Sequence, residues 1–247
     1  MKLSRTLPLN GFLALAACGG GASAVFPVDN PSGSVLSFSE TTVSIANQNI
    51  DVALPRNSTF DSGPFLGGSR STVEGEQILV SSATDATYAA MLISPDDAFA
   101  VDLFAGRLAP TQDLPTGTAS MTGTYVGSIL FAGNDTPGSP IAGTVALDVD
   151  FDDMLISGTI SERGVQLFDD AVELSLRDIT LAETSIETDG VFRGASAHAG
   201  YEVSNGDYAG AIGGDAGDEV VGQVVLYDRD ADGTIISGEA GIFAIGH

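Results

Sequence analysis

The chain has 247 residues, 33 of them acidic against nine basic, giving a formal charge of −24. With no basic stripe to release counterions from phosphates or to grip anionic lipid, unaided binding to nucleic acid and polybasic membrane docking are both excluded. Hydrophobic residues reach 43%, too many for a disordered acidic chain, while Trp is absent and aromatics reach only 7%, so the core must rest mainly on aliphatic side chains.

Lys2 and Arg5 form a short positive segment, and Leu7 to Ala17 is an apolar stretch far too short to span a bilayer. Together they make a secretory leader over 1–17. The stretch ends in Leu15-Ala16-Ala17-Cys18-Gly19, which resembles the bacterial lipoprotein cleavage box. The resemblance implies that Cys18 becomes the N-terminus and carries acyl chains such as palmitate; several chains anchor stably where one holds only marginally. Gly19, in place of the Asp of inner-membrane retention, favours the outer membrane. An ordinary leader beside a chance cysteine is the plainer alternative. Cys18 is the only cysteine, so no disulfide can form within the chain. Loss of the leader removes Lys2, the only lysine, and Arg5, taking the charge to −26. Residues 18–34 read as a flexible Gly/Ser/Pro tether.

Next come Val35–Ala46, Gln77–Ser82, Tyr88–Ser94 and Ala98–Gly106, read as strands, with a short helix over Ala83–Leu92 as the alternative. They make a small β-rich domain at 35–108, followed by a hinge at 109–116 containing Pro110 and Pro115. From 117 to 247 the apolar residues alternate. In Ala119–Phe131, Met121, Tyr125, Ile129 and Phe131 share one face with Gly123 and Gly127, and Ser120, Thr122, Thr124 and Ser128 lie on the other. Ile141–Phe151 repeats the pattern. Met154–Ser161, Ala171–Arg177, Asp178–Ile186, Val191–Ala195, Asp207–Ile212, Glu219–Tyr227 and Thr234–Ile245 follow, separated by turns such as Asp189-Gly190, Asn205-Gly206 and Asp232-Gly233. Many short strands at steady spacing predict an all-β antiparallel barrel or sandwich, and strand glycines, which supply tight bends, favour the barrel.

Leu114-Pro115-Thr116-Gly117 through Gly127 resembles the opening strand of the transferrin-binding-protein-B-like β-barrel domain. Gly206-Asp207-Tyr208 through Gly222 resembles its closing signature, and Gly238-Glu239-Ala240-Gly241-Ile242-Phe243-Ala244 its Gly-rich last strand. The resemblance covers about 114–247 and implies an eight-stranded barrel beside a less regular handle-like domain. It further implies a Gram-negative surface lipoprotein that binds host or environmental proteins, or iron- and haem-related ligands. Its implied partners are an outer-membrane receptor and a surface-lipoprotein translocon. Ala211-Ile212-Gly213-Gly214 stands where the family has Phe-Tyr-Gly-Pro, so the resemblance carries no ligand identity.

The sharpest local motif is Asp228-Arg229-Asp230-Ala231-Asp232-Gly233-Thr234-Ile235-Ile236-Ser237-Gly238-Glu239, a full D-x-D-x-D-G-x5-E loop. Asp228, Asp230, Asp232, the Thr234 carbonyl and a bidentate Glu239 are the Ca²⁺ ligand set this spacing offers. Its flanks read as strands rather than helices, and if strand begins at Ile235, Glu239 is carried away from the three Asp side chains; an acidic hairpin turn is then the reading. Asp148, Asp150, Asp152 and Asp153 crowd a second turn and read as solvated acids. Catalysis has little to work with: one cysteine, one lysine and two histidines leave out thiol, Schiff-base and His-rich zinc chemistry, and no G-x-S-x-G elbow occurs. Paired carboxylates for sugar hydrolysis stay open, because 33 acids always provide pairs somewhere. Tyr125, Tyr201, Tyr208 and His198 are the barrel's candidate haem ligands, although the parity of Tyr125 suggests that it fills the barrel. The sequence thus predicts a non-enzymatic, lipid-anchored outer-membrane binding module, or alternatively a Ca²⁺-stabilised structural module with no dedicated ligand.

Overall fold

The computed structural model describes residues 36–38, 42–45, 50–53, 71–73, 77–83, 87–93 and 101–107, and 114–246 except 132–138, 167–172, 201–204 and 215. Every regular element described is a strand. β1 (Leu36–Phe38), β2 (Thr42–Ile45) and β3 (Ile50–Ala53) form one antiparallel meander. β4 (Ser71–Val73), β5 (Gln77–Ala83), β6 (Thr87–Ile93) and β7 (Val101–Arg107) form another. The single strand expected over Val35–Ala46 is therefore a hairpin, and the helical alternative over Ala83–Leu92 gives way to β5 and β6. The β-branched and alternating pattern of Thr87–Ile93 outweighs the helix preference of its two alanines.

The remaining strands build the barrel: β8 (Thr118–Phe131), β9 (Ser139–Asp150), β10 (Leu155–Gln166), β11 (Glu173–Ser175), β12 (Ile179–Ser185), β13 (Val191–His198), β14 (Gly206–Gly213), β15 (Glu219–Arg229) and β16 (Ile235–Ile245). Neighbours pair antiparallel throughout, and β16 pairs back onto β8, closing eight strands into a ring. β11 is the extra strand; it takes over the edge of β10 at Gly164–Gln166, beyond the stretch of β10 that pairs with β12. Closure removes the exposed edges that an open sheet would present.

Inside, Tyr125, Val145, Leu147, Ile156, Ile160, Phe192, Val224 and Phe243 are among the side chains of a continuous apolar core. Outside, Ala89 and Met91 of β6 and Ala105 of β7 pack onto Val126, Val221, Ala240 and Ile242 of β8, β15 and β16. Thr87 Oγ1 lies 3.3 Å from Glu219 Oε2 across the same junction. Both faces of β8, β15 and β16 are therefore buried here, which explains why the last strand reads as almost continuously apolar after Glu239. One end of the barrel is fastened where the chain enters: Phe151 N donates to Gly117 O at 2.8 Å and Gly117 N to Asp152 Oδ1 at 2.9 Å.

Candidate functional site

The other end of the barrel holds charge. Inward-facing Ile156 and Ile160 of β10 are followed by a β-bulge, where Ser161 pairs Thr144 but Gly164 pairs Ala142. Glu162 takes the left-handed conformation at φ 51°. An unbroken strand would continue the inward row with Glu162; the extra residue hands that place to Arg163 and leaves Glu162 outside. There Glu162 Oε2 accepts from Thr144 Oγ1 at 2.9 Å.

Arg163 is fully buried and forms an ion pair with Glu239 of β16 through Nη2, while Nη1 donates to the Arg177 carbonyl. The other Glu239 oxygen accepts from Tyr125 Oη at 2.7 Å. Burial, reinforced by the Glu239 charge, pushes the Tyr125 pKa well above its ordinary value, so the hydroxyl stays a donor. The ring needs glycine around it: a Cβ on Gly241 would lie 2.3 Å from Tyr125 Oη, and one on Gly127 2.6 Å. Tyr208 is likewise committed, donating to Ala182 O at 2.6 Å, with its pKa raised by burial to about 12.

A cavity of about 260 Å³ opens onto this network. Arg163 and Glu239 line it together with Ile129, Leu176 and Leu226, and toward the rim with Arg177, His198, Asp228 and Ser237. Asp228 organises the rim: Ser237 Oγ donates to it at 2.8 Å, Asn205 Nδ2 at 3.2 Å, and His198 Nε2 lies 3.7 Å away. Burial lowers the His198 pKa below 6.5, against an opposing pull from Glu239 and Asp228. The sign follows: the folded state binds its proton less readily than the unfolded chain, so this residue's contribution to stability is present above 6.5 and is lost as pH falls through the folded pKa. Wild-type protein is expected to lose more melting temperature on acidification through that window than His198→Gln. Equal losses, followed by calorimetry at matched pH values, would show that His198 is not the cause.

The sequence-derived metal ligands are not brought to one centre. Asp230 Oδ1 accepts from the backbone of Asp232 at 3.0 Å and Thr234 at 2.9 Å, inside a tight turn with Gly233 at φ 79°. Asp228 is held at the rim, and Glu239 faces the barrel interior opposite Leu226 in the β15–β16 ladder. Among the described residues no group of three or more His, Cys, Asp or Glu is positioned to hold a metal ion. Asp150 of the second acidic turn caps Asp152 N and Asp153 N, each at 3.0 Å. Wild type and Asp230→Ala are therefore expected to show the same melting shift in millimolar Ca²⁺, the shift being general screening of a −24 chain. A larger response in wild type would restore the loop as a Ca²⁺ site. Cys18, Tyr201 and His247 lie outside the described residues.

A closed eight-stranded antiparallel barrel, a buried polar core at one end and a small sheet against its outer wall define a transferrin-binding-protein-B-like β-barrel fold. The chain is similar to a single mutant of transferrin-binding protein B from Haemophilus parasuis, with a TM-score of 0.57 and 15% identity over 91% of this chain and 44% of that one. It is similar to the corresponding double mutant, with a TM-score of 0.56 and 15% identity over 90% of this chain and 43% of that one. The intact Ap-TbpB structure, with N and C lobes, gives 0.56 and 14% over 91% and 45%. The chain thus spans under half the length of these proteins. No protein-family model matches the sequence, and no curated protein matches it.

Proposed function

We propose that the chain is an outer-membrane lipoprotein, acylated at Cys18 and displayed at the cell surface, that acts as a non-catalytic binding module. The observation that carries the reading is the fold likeness to transferrin-binding protein B across nine-tenths of the chain. The leader ending at Cys18 supports the anchor. The ligand class is a host or environmental protein, or an iron- or haem-related molecule. The partners in display are an outer-membrane receptor or a surface-lipoprotein translocon. For a haem ligand, His198 is the candidate at the cavity rim, because the Tyr125 and Tyr208 hydroxyls are both bonded within the barrel. Residues 117–247 form the barrel module and 35–108 the handle-like part, with 109–116 as the hinge between them. The His198 imidazole faces Asp228, and its backbone N–H donates to Asn205.

Protease shaving of intact cells tests the proposal. Wild type should be cleaved while an internal periplasmic control survives, and Cys18→Ser should accumulate as unprocessed or soluble protein. Protection of wild type in intact cells, or normal detergent partition of Cys18→Ser, would overturn it.

A further inference from the structure

Two carboxylates line the cavity at the barrel mouth, and only one of them is open to a ligand. Glu239 is almost fully buried and committed to Arg163 and Tyr125, whereas the Asp228 side chain keeps 31% of its surface accessible. The partners of Asp228 are the Ser237 hydroxyl, the Asn205 amide and the His198 imidazole. The first two are neutral, and burial keeps the imidazole neutral at neutral pH as well. Among the described residues, no Arg or Lys forms an ion pair with Asp228. A carboxylate drawn half out of water with only neutral donors keeps its full charge. A cation brought to it gains Coulomb attraction and a charge-assisted hydrogen bond together.

The rest of the wall narrows the ligand. Arg163 is buried and paired with Glu239, so the two together add no net charge. Arg177 also lines the wall, but it is exposed, where water and salt screen its charge. An anion reaching toward Arg177 would meet Asp228 and the field of a −24 chain, a field that gathers cations. Ile129 and Leu176 are half-buried and give the same cavity accessible apolar surface. A bare metal ion would leave that surface unused and would find one carboxylate where a hard cation takes six or more oxygens. About 260 Å³ is smaller than the cavities that hold drug-sized ligands, and suits a molecule on the order of ten non-hydrogen atoms. We propose that the barrel mouth is a binding site for a compact organic cation, a primary ammonium on an apolar body, with the ammonium donating to Asp228. This site does not depend on the surface-lipoprotein reading, and it concerns a ligand smaller than any protein or haem.

The full chain is titrated with 4-fluorobenzylamine, 4-fluorobenzyl alcohol and 4-fluorobenzoate, with binding followed by fluorine NMR. The amine should bind most tightly. Asp228→Asn keeps the size of the side chain and an accepting oxygen but removes the charge, and should weaken the amine about tenfold while leaving the alcohol unchanged. Asp230→Asn removes the same unit of charge from the exposed turn of the same hairpin, and should leave the amine unchanged. Ser237→Phe narrows the mouth from the rim with the carboxylate retained, and should abolish amine binding. It keeps the test available should Asp228→Asn fail to fold. Failure of the folded wild type to bind the amine, a preference for the benzoate, or amine binding undiminished in Ser237→Phe would each overturn the site. Equal weakening in Asp228→Asn and Asp230→Asn would also overturn it, because the amine would then be held by the general field of the chain.

Discussion

Glu239→Ala is expected to destabilise the chain by about 3–5 kcal/mol, because it strands a buried guanidinium inside the barrel. For a chain of this size that corresponds to a fall in melting temperature on the order of 10 °C. Arg163 is fully buried beside Glu239, so removing the carboxylate leaves its charge both unpaired and out of water. The informative comparison is Arg163→Met/Glu239→Leu. Replacing both charges with apolar groups of similar bulk removes the stranded charge, so the double variant should recover most of the loss. Recovery stays incomplete because Tyr125 Oη loses its acceptor. If the double variant melts no higher than Glu239→Ala, the loss came from packing rather than from the unpaired charge.

Tyr125→Ala carries the second large effect. Deleting a fully buried ring from a packed core should cost about 3–5 kcal/mol. It also tests the seating of the ring. Gly241→Ala in wild type forces a methyl group against Tyr125 and should cost about 1–3 kcal/mol. In the Tyr125→Ala background the same change meets vacated space and should cost little. Denaturant unfolding of all four chains gives the coupling directly. Additive losses would mean that Gly241 is retained for backbone reasons instead.

Much of the barrel could be read from alternation. The inward parity of Tyr125 placed it correctly in the core, and the turns at Asp189-Gly190 and Asp232-Gly233 fall between paired strands. The strand glycines were assigned the right consequence for an incomplete reason: bending is one use, but Gly127 and Gly241 make room for Tyr125, and Gly194 for Tyr208. Such vacancies depend on which cross-strand neighbour carries a ring, and that requires the register. Glu239 was legible as a special acid but drew attention as a metal ligand, because the twelve-residue spacing is local whereas its partners Tyr125 and Arg163 are not. Its parity with Phe243 and Ile245 is the signal that would have turned it inward. Arg163 was missed because it lies beyond the strand read over Met154–Ser161; the strand runs on to Gln166, and alternation across a bulge points to the wrong residue.

The polar lock in the barrel joins the first, third and last strands of the ring, and Tyr125 and Glu239 stand 114 residues apart. Chain-closure entropy over that span must be met before any of these contacts can compensate for it, which makes seam formation slow and late. A polypeptide emerging from its N-terminal side presents Arg163 long before Glu239 exists to neutralise it. Until β16 arrives, the guanidinium remains hydrated and the β8 edge unpaired, so the earlier strands cannot reach a latched state. The carboxylate that pins the interior thus also orders assembly in time: the growing chain is committed to one shape only when the final strand arrives.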